Sequence, residues 1–270
     1  MEYRKDFPSS EAMVDYVETT PQAGKWKGST QCTYGEDDPT WTFGVDLAGA
    51  YKISRQGWQE GRERFRNQII DAKSTGTAKV IARAAMFEND VVGSFPDIGA
   101  YLSGVPDCMM TATETGAALS TPVIEVNIAM GYLAQAGAEE IANYGSAIAL
   151  LIDQLEEDGH SVQVNMIKKA KAGRDTFVTK VPAKEAGQPL DIDRLAFVIA
   201  HPAMARRILF RVMETVEGAY RSFSMAMGAT VTHEDVHFPS VKAADGHDYR
   251  ARCKTMEGAI EVVAELWSKR

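Results

Sequence analysis

The apolar positions of this chain follow two periods, and the clearest change between them lies from Pro122 to Ile167. Val123, Ile124, Val126 and Ile128 form a near-continuous apolar run, the pattern of a strand covered on both faces. Ile141, Tyr144, Ile148, Leu151, Ile152 and Leu155 then recur at three- and four-residue spacing. Glu139, Glu140, Asn143, Asp153 and Glu156 fall on the other side, so the spacing predicts a helix with one buried stripe. Gly159 ends it, and Val162, Val164 and Met166 alternate with polar residues as a second strand. Strand, helix and strand joined by short turns predict a right-handed βαβ crossover with parallel strands.

The rest of the chain is arranged around this unit. Ser9 and Ser10 can cap a short helix from Ser10 to Glu18, and residues 19–40 read as an irregular or hairpin excursion. Asp46 caps a helix carrying Leu47, Ala50, Tyr51 and Ile53; Gly57 closes it before a second helix over Trp58 to Asp71. Lys79 to Met86 is expected as a strand or short helix, Pro96 to Leu102 as a short helix, and Met109 to Thr113 as a strand. Lys168 to Asp175 reads as a basic loop ahead of a strand over Thr176 to Val181. Asp191 and Asp193 open an apolar segment that fits a helix or a strand, and Pro202 suits the first turn of a helix over Ala203 to Glu217. Residues 230–250 are loop-like, and Thr255 to Lys269 closes the chain as an amphipathic helix. The expected architecture is a single α/β domain over residues 1–270. A small mixed sheet is built on the βαβ unit and flanked by helices, Rossmann-like or von Willebrand A-like.

Composition narrows the class. A chain of 270 residues with 45% apolar residues can bury a sizeable core. Its 29 Lys and Arg against 37 Asp and Glu give a formal net charge of -8, so the surface as a whole is no footprint for duplex nucleic acid, although local basic patches remain open. Cys32, Cys108 and Cys253 are odd in number and lack C-x-x-C spacing, which argues against a disulfide framework or thiolate zinc site and fits a reducing compartment. The charged start and short apolar runs show neither secretion signal nor spanning segment, so no membrane association is expected.

The turn after Ile128 is where an open parallel sheet would place a ligand. It reads Ala129-Met130-Gly131-Tyr132-Leu133-Ala134-Gln135-Ala136-Gly137, too poor in glycine for a dinucleotide fingerprint, and no Gly-Lys-Ser/Thr phosphate loop occurs elsewhere. No cofactor is expected. In outline the unit is similar to the first half of a von Willebrand factor A domain. The Asp-x-Ser-x-Ser cation motif of such domains is replaced by Asn127-Ile128-Ala129-Met130-Gly131, so that metal site is not carried over. His233, His237 and His247, with Glu234, Asp235 and Asp245, are the one His/carboxylate cluster; they could ligate zinc or transfer protons, or form a polar surface loop. Cys108 would need a spatially adjacent base to act as a nucleophile; Ser103 and Ser146 lack a Gly-x-Ser-x-Gly setting.

Basic residues interleaved with aromatics are the remaining signal. Lys25 and Lys27 flank Trp26; Trp58 precedes Arg62, Arg64 and Arg66; Lys168, Lys169, Lys171 and Arg174 form the basic loop. Arg206, Arg207 and Arg211 precede Tyr220, Arg221 and Phe223. Single strands are bound by stacking bases on aromatics within a positive groove, which does not require a basic protein overall. The competing reading is a set of core aromatics and solvated arginines, balanced on one helix by Glu60 and Glu63.

The segment Gly57-Trp58-Gln59-Glu60-Gly61-Arg62-Glu63-Arg64, the stretch Tyr101-Leu102-Ser103-Gly104-Val105-Pro106-Asp107-Cys108-Met109 and the βαβ unit together resemble an uncharacterised family of tailed-phage proteins. The resemblance implies phage origin and action in the host cytoplasm, and it supplies no catalytic residues. The leading expectation is a non-enzymatic accessory protein that binds single-stranded DNA as a cofactor of transcription or replication, with a phage or host polymerase as partner. One alternative is a metal-dependent hydrolase or transferase using the histidine loop. Another is an oligomeric structural or host-interaction protein with Trp26 and Trp267 in subunit contacts.

Overall fold

A computed structural model describes residues 1–24, 31–35, 38–74, 88–90, 95–96, 109–111, 123–132, 136–188, 191–223, 229–230, 236–237 and 249–268. It is an α/β structure with a mixed sheet flanked by helices. The expected element at Lys79 to Met86 lies outside the described residues, as does Cys108.

The sheet is centred on the βαβ unit. Strands β5 (Val123–Ala129) and β6 (Ser161–Ala172) pair in parallel from Val123 opposite Ser161 to Ala129 opposite Ile167. Helix α5 (Ala138–Glu157) connects them. On one side of β5 the short strand β9 (Val236–His237) adds in parallel; on the other side of β6, β7 (Asp175–Lys184) adds antiparallel. The amino-terminal strand β1 (Glu2–Arg4) runs parallel to β7, completing the order β1-β7-β6-β5-β9, and β8 (Ala229–Thr230) pairs with β6. A separate small sheet joins β2 (Glu88–Asp90), β4 (Met109–Thr111) and β3 (Phe95–Pro96).

Helices lie against one face of the main sheet, where Val162, Val164, Met166, Ala170, Phe177 and Val181 join the core. The first is α1 (Ser10–Thr19), capped by the Ser9 hydroxyl, which accepts from Ala12 N at 3.1 Å. Next come α2 (Pro39–Thr42), α3 (Leu47–Gln56), capped by Asp46, and α4 (Gln59–Ser74). The apolar segment after Asp191 is helical, α6 (Ile192–Ala200). The predicted Ala203 to Glu217 helix is broken into a π-turn at Met204–Ile208 followed by α7 (Leu209–Thr215). Short helices α8 (Tyr220–Phe223) and α9 (Tyr249–Arg252) precede the closing α10 (Met256–Ser268).

Two features depart from the periodic reading. Helix α5 is packed on more than its apolar stripe, because α4, α6 and α10 all lie against it. Glu140 and Asn143, expected on the solvent side, are therefore buried, and Asn143 Nδ2 donates to the carbonyls of Cys253 (3.0 Å) and Lys254 (3.1 Å). Helices α5 and α6 touch closely at Gly145, where an added Cβ would sit 2.4 Å from Ala200 Cα. The second departure is the basic loop. Lys168 to Ala172 continues β6, and the reversal into β7 is a two-residue turn whose Gly173 has φ +62. Such a tight hairpin needs a positive φ, which glycine adopts without steric cost.

Candidate nucleic-acid interface

Strand geometry sorts the basic run. Alternate side chains point to opposite faces, so Lys168 joins the covered face while Lys169 and Lys171 join the other. Register extends this second row across three strands. Lys169 lies opposite Val178, which lies opposite Arg4; Lys171 lies opposite Thr176, and Ile167 opposite Lys180. Lys171, Arg174 and Arg4 are exposed, and Lys169 and Lys180 are partly so. With strands about 4.8 Å apart and alternate residues about 7 Å apart, these cations occupy a patch roughly 10 Å wide across the strands and about 14 Å long.

Acids shape the patch. Arg4 Nε donates to Asp6 at 2.7 Å, and Lys180 Nζ donates to Glu125 at 2.7 Å. Asp175 in the turn is held by the Met1 amine at 2.6 Å and by the Ser222 hydroxyl. Glu2, opposite Thr176, adds a carboxylate to the row of Lys171, and the exposed cations nearest the hairpin are Lys171 and Arg174. Further down the same face the row carries Glu125 among amides, and Asn165 there is fully buried. Asn165 Nδ2 donates to Glu125 (2.7 Å) and Asn127 (3.2 Å), and Gln163 donates to Asn165 (3.4 Å).

Other predicted contact residues are placed elsewhere. Lys25, Trp26 and Lys27 lie outside the described residues. Arg62 and Arg66 are exposed on α4, on the helical side of the molecule, and Arg64 is tied down there by Asn143 and Glu139, each at 2.6 Å. Arg206 and Arg207 are not surface contacts: they are 2% and 0% exposed. Arg211 Nη2 donates to the Thr20 carbonyl at 3.0 Å and lies near the fully buried Glu214, which also accepts from Cys32 N and Sγ. His233 and His247 lie outside the described residues; His237 is opposite Ala129 in β9. Among the described residues no group of three or more His, Cys, Asp or Glu is placed to hold a metal ion, and no helix is long and apolar enough to cross a membrane.

A family model described as a domain of unknown function (DUF7192) matches residues 1–263. The chain belongs to this family. No curated protein and no solved structure matches it.

Sequence reasoning misread two arginines of this DUF7192 chain and overlooked Arg4, Lys180 and His201. Arg207 organises the segment around residues 32–45. Its Nη1 donates to the carbonyls of Cys32 (3.1 Å) and Tyr34 (2.6 Å), Nη2 to Gly35 O (3.2 Å) and Thr42 Oγ1 (3.0 Å), and Nε to Val45 O (2.9 Å). Arg206 stacks on Trp41, 3.6 Å from the ring centroid, and donates to the carbonyls of Trp41 and Ala136, each at 2.7 Å. Burial lowers its pKa to about 10. Lys168 packs 5.2 Å from the Phe210 ring centroid, and burial, aided by Arg206, lowers its pKa to about 8. His201 is enclosed by Phe43, Trp58 and Phe197, with Nδ1 accepting from Ala203 N at 3.0 Å. Its pKa falls to about 3 through burial, so it is a neutral core residue.

Proposed function

We propose that this chain is a non-catalytic accessory protein of a tailed phage that binds single-stranded nucleic acid as a cofactor of transcription or replication. The observation that carries the reading is the shared open face of Lys169, Lys171, Arg174, Arg4 and Lys180, contributed by three adjacent strands and one turn. Phosphates would be met by this basic patch, and the partly exposed Asn127 and Gln163 nearby could add amide contacts to bases or sugars. The face presents Val178 and Ile167 rather than aromatic rings, so the contact is electrostatic more than stacked, and sequence-tolerant. Binding in the host cytoplasm beside a polymerase would follow the family resemblance, and the chain's net charge of -8 disfavours contact with nucleic acid away from such a patch.

Fluorescence anisotropy with labelled single-stranded DNA and RNA, at two salt concentrations, tests the proposal. Binding that weakens with salt by about 0.7 log units of affinity per log unit of salt for each phosphate engaged is the expected result. Failure to bind at micromolar protein and low salt rejects it.

A further inference from the structure

The carboxyl end of β5 holds a group of donors on the covered side of the sheet, remote from the open face. Strand β5 lies there between two parallel neighbours, β6 and β9. Helix α5 starts just beyond, with Gly137 at its N-cap, and its positive dipole end is already met by the Glu140 carboxylate, which accepts from Gly137 N at 3.3 Å. Arg206 is bonded into this turn through the Ala136 carbonyl and lies flat on Trp41.

Two donors beside this guanidinium lack acceptors. Trp41 Nε1 is buried and has no hydrogen-bond partner. Lys168 is 4% exposed, no hydrogen bond reaches its Nζ from any described residue, and it lies over the Phe210 ring, 5.2 Å from the centroid. Buried polar groups are nearly always paired, and an unmatched ammonium next to a guanidinium is doubly unfavourable. Asp38 and the buried Glu140 lie near enough to Arg206 to offset part of its charge, but no hydrogen bond reaches Lys168 or Trp41 Nε1 from a described residue, so the partner missing at these two donors is an acceptor, and one carrying negative charge would match the ammonium.

We infer that this cluster binds a small oxyanion of the phosphate class, with Lys168 and Arg206 supplying charge and Trp41 Nε1 a hydrogen bond. Trp41 and Tyr132, at the rim of the cluster, are partly exposed. Side-chain donors here do what the main-chain amides of a glycine-rich loop do elsewhere, so the absent phosphate-loop motif does not count against the site. The inference stands apart from the nucleic-acid reading, because Lys168 and Lys169 face opposite sides of the sheet.

The test is thermal unfolding of the full chain in chloride buffer, titrated at constant ionic strength with inorganic phosphate or with phenyl phosphate. The unfolding midpoint of the wild type should rise saturably with phosphate beyond its value in chloride. Lys168→Met should fold at least as stably in chloride, since a buried charge is replaced by an apolar chain of similar length, and should lose the rise. Trp41→Phe keeps a ring over Arg206 but removes the donor, and should weaken phosphate binding about tenfold. Saturation by inorganic phosphate alone identifies the free anion; saturation by both identifies a monoester group. A wild type that responds to both no more than to chloride overturns the inference, as does a folded Lys168→Met protein that responds like the wild type.

Discussion

Lys168 and Lys169 are consecutive in the chain and lie on opposite faces of the sheet. Lys168 packs beneath Phe210 on the covered side, and Lys169 sits opposite Val178 on the open side. One strand thereby supplies a buried charge to the core and a surface charge to a candidate interface, and substitutions at the two positions should have unrelated effects.

On the open face, Lys169→Glu with Lys171→Glu should lower affinity for single-stranded DNA by at least tenfold at low salt. The salt slope should fall by about 1.4, the contribution of two phosphate contacts on a single strand. Folding stability should stay within about 0.5 kcal/mol, because neither side chain is buried. Anisotropy titrations paired with urea unfolding separate the two quantities. Unchanged affinity would remove the hairpin from the interface.

Arg207→Met makes the opposite prediction. The buried guanidinium bonds the carbonyls of Cys32, Tyr34, Gly35 and Val45 and the Thr42 hydroxyl, and methionine leaves all of these oxygens without it. Loss of a single buried charged partner costs roughly 3–5 kcal/mol. A urea midpoint within error of the wild type would mean that these carbonyls find water instead. The effect on DNA affinity of protein that remains folded should be small.

These two arginines also mark the limit of what the chain reveals by itself. The βαβ unit was legible because Val126 and Ile128, and the stripe from Ile141 to Ile152, are buried apolar residues at strand and helix spacing, even though Val123 at the start of β5 is 56% exposed. The cap at Ser9 and the stops at Gly57 and Gly159 were legible for a similarly local reason. Arg206 and Arg207 differ: what draws them inward is a set of main-chain carbonyls 70 to 175 positions away, and carbonyls leave no trace in side-chain patterning. The π-turn compounds this, since its extra residue per turn moves both arginines off the face that a regular helix would give them. The basic run failed as a loop for another reason. Lys168 occupies a position that alternation reserves for an apolar residue, so the strand signal of Val164, Met166 and Ala170 was interrupted by a charge. Such an interruption is itself the clue that Lys168 has a task in the interior.

Gly145→Ala sets helix propensity against packing. Alanine should favour the helix by up to about 1 kcal/mol. Its methyl group would stand 2.4 Å from Ala200 Cα, which forces α5 and α6 apart at a cost of about 1–3 kcal/mol. The net expectation is a lower unfolding midpoint, measured by thermal denaturation. A higher midpoint would show that the two helices separate easily.

His201 gives the protein a dependence on acid. Its folded pKa, about 3, lies below the ordinary 6.5, so the unfolded chain binds the proton more readily. Its contribution is complete above pH 6.5 and is lost progressively as the pH falls towards 3, amounting to roughly 5 kcal/mol over that window. His201→Asn, which keeps a side-chain acceptor for Ala203 N, should flatten the fall in stability between pH 6 and 4 by the equivalent of one proton. Urea midpoints across that range decide it, and an unchanged slope would assign the acid sensitivity to carboxylates.

Lys168 predicts a change at the alkaline end with its own sign. Burial and Arg206 lower its folded pKa to about 8 from 10.5, so between those values the unfolded chain again binds more protons than the folded one. The penalty for burying the ammonium is present in full below pH 8 and is relieved as the pH rises towards 10.5, which stabilises the fold over that interval by roughly 3 kcal/mol. Lys168→Met should abolish this rise and should be the more stable protein at pH 7 in chloride, where the wild type carries the unpaired charge. A bound oxyanion reverses the comparison, because it raises the lysine pKa and stabilises only the wild type. Unfolding measured at pH 7 and pH 9.5, with and without phosphate, therefore yields a crossover in the order of stability. If Lys168→Met is the less stable protein at pH 7 in chloride, the ammonium has a partner in the fold and the crossover cannot occur.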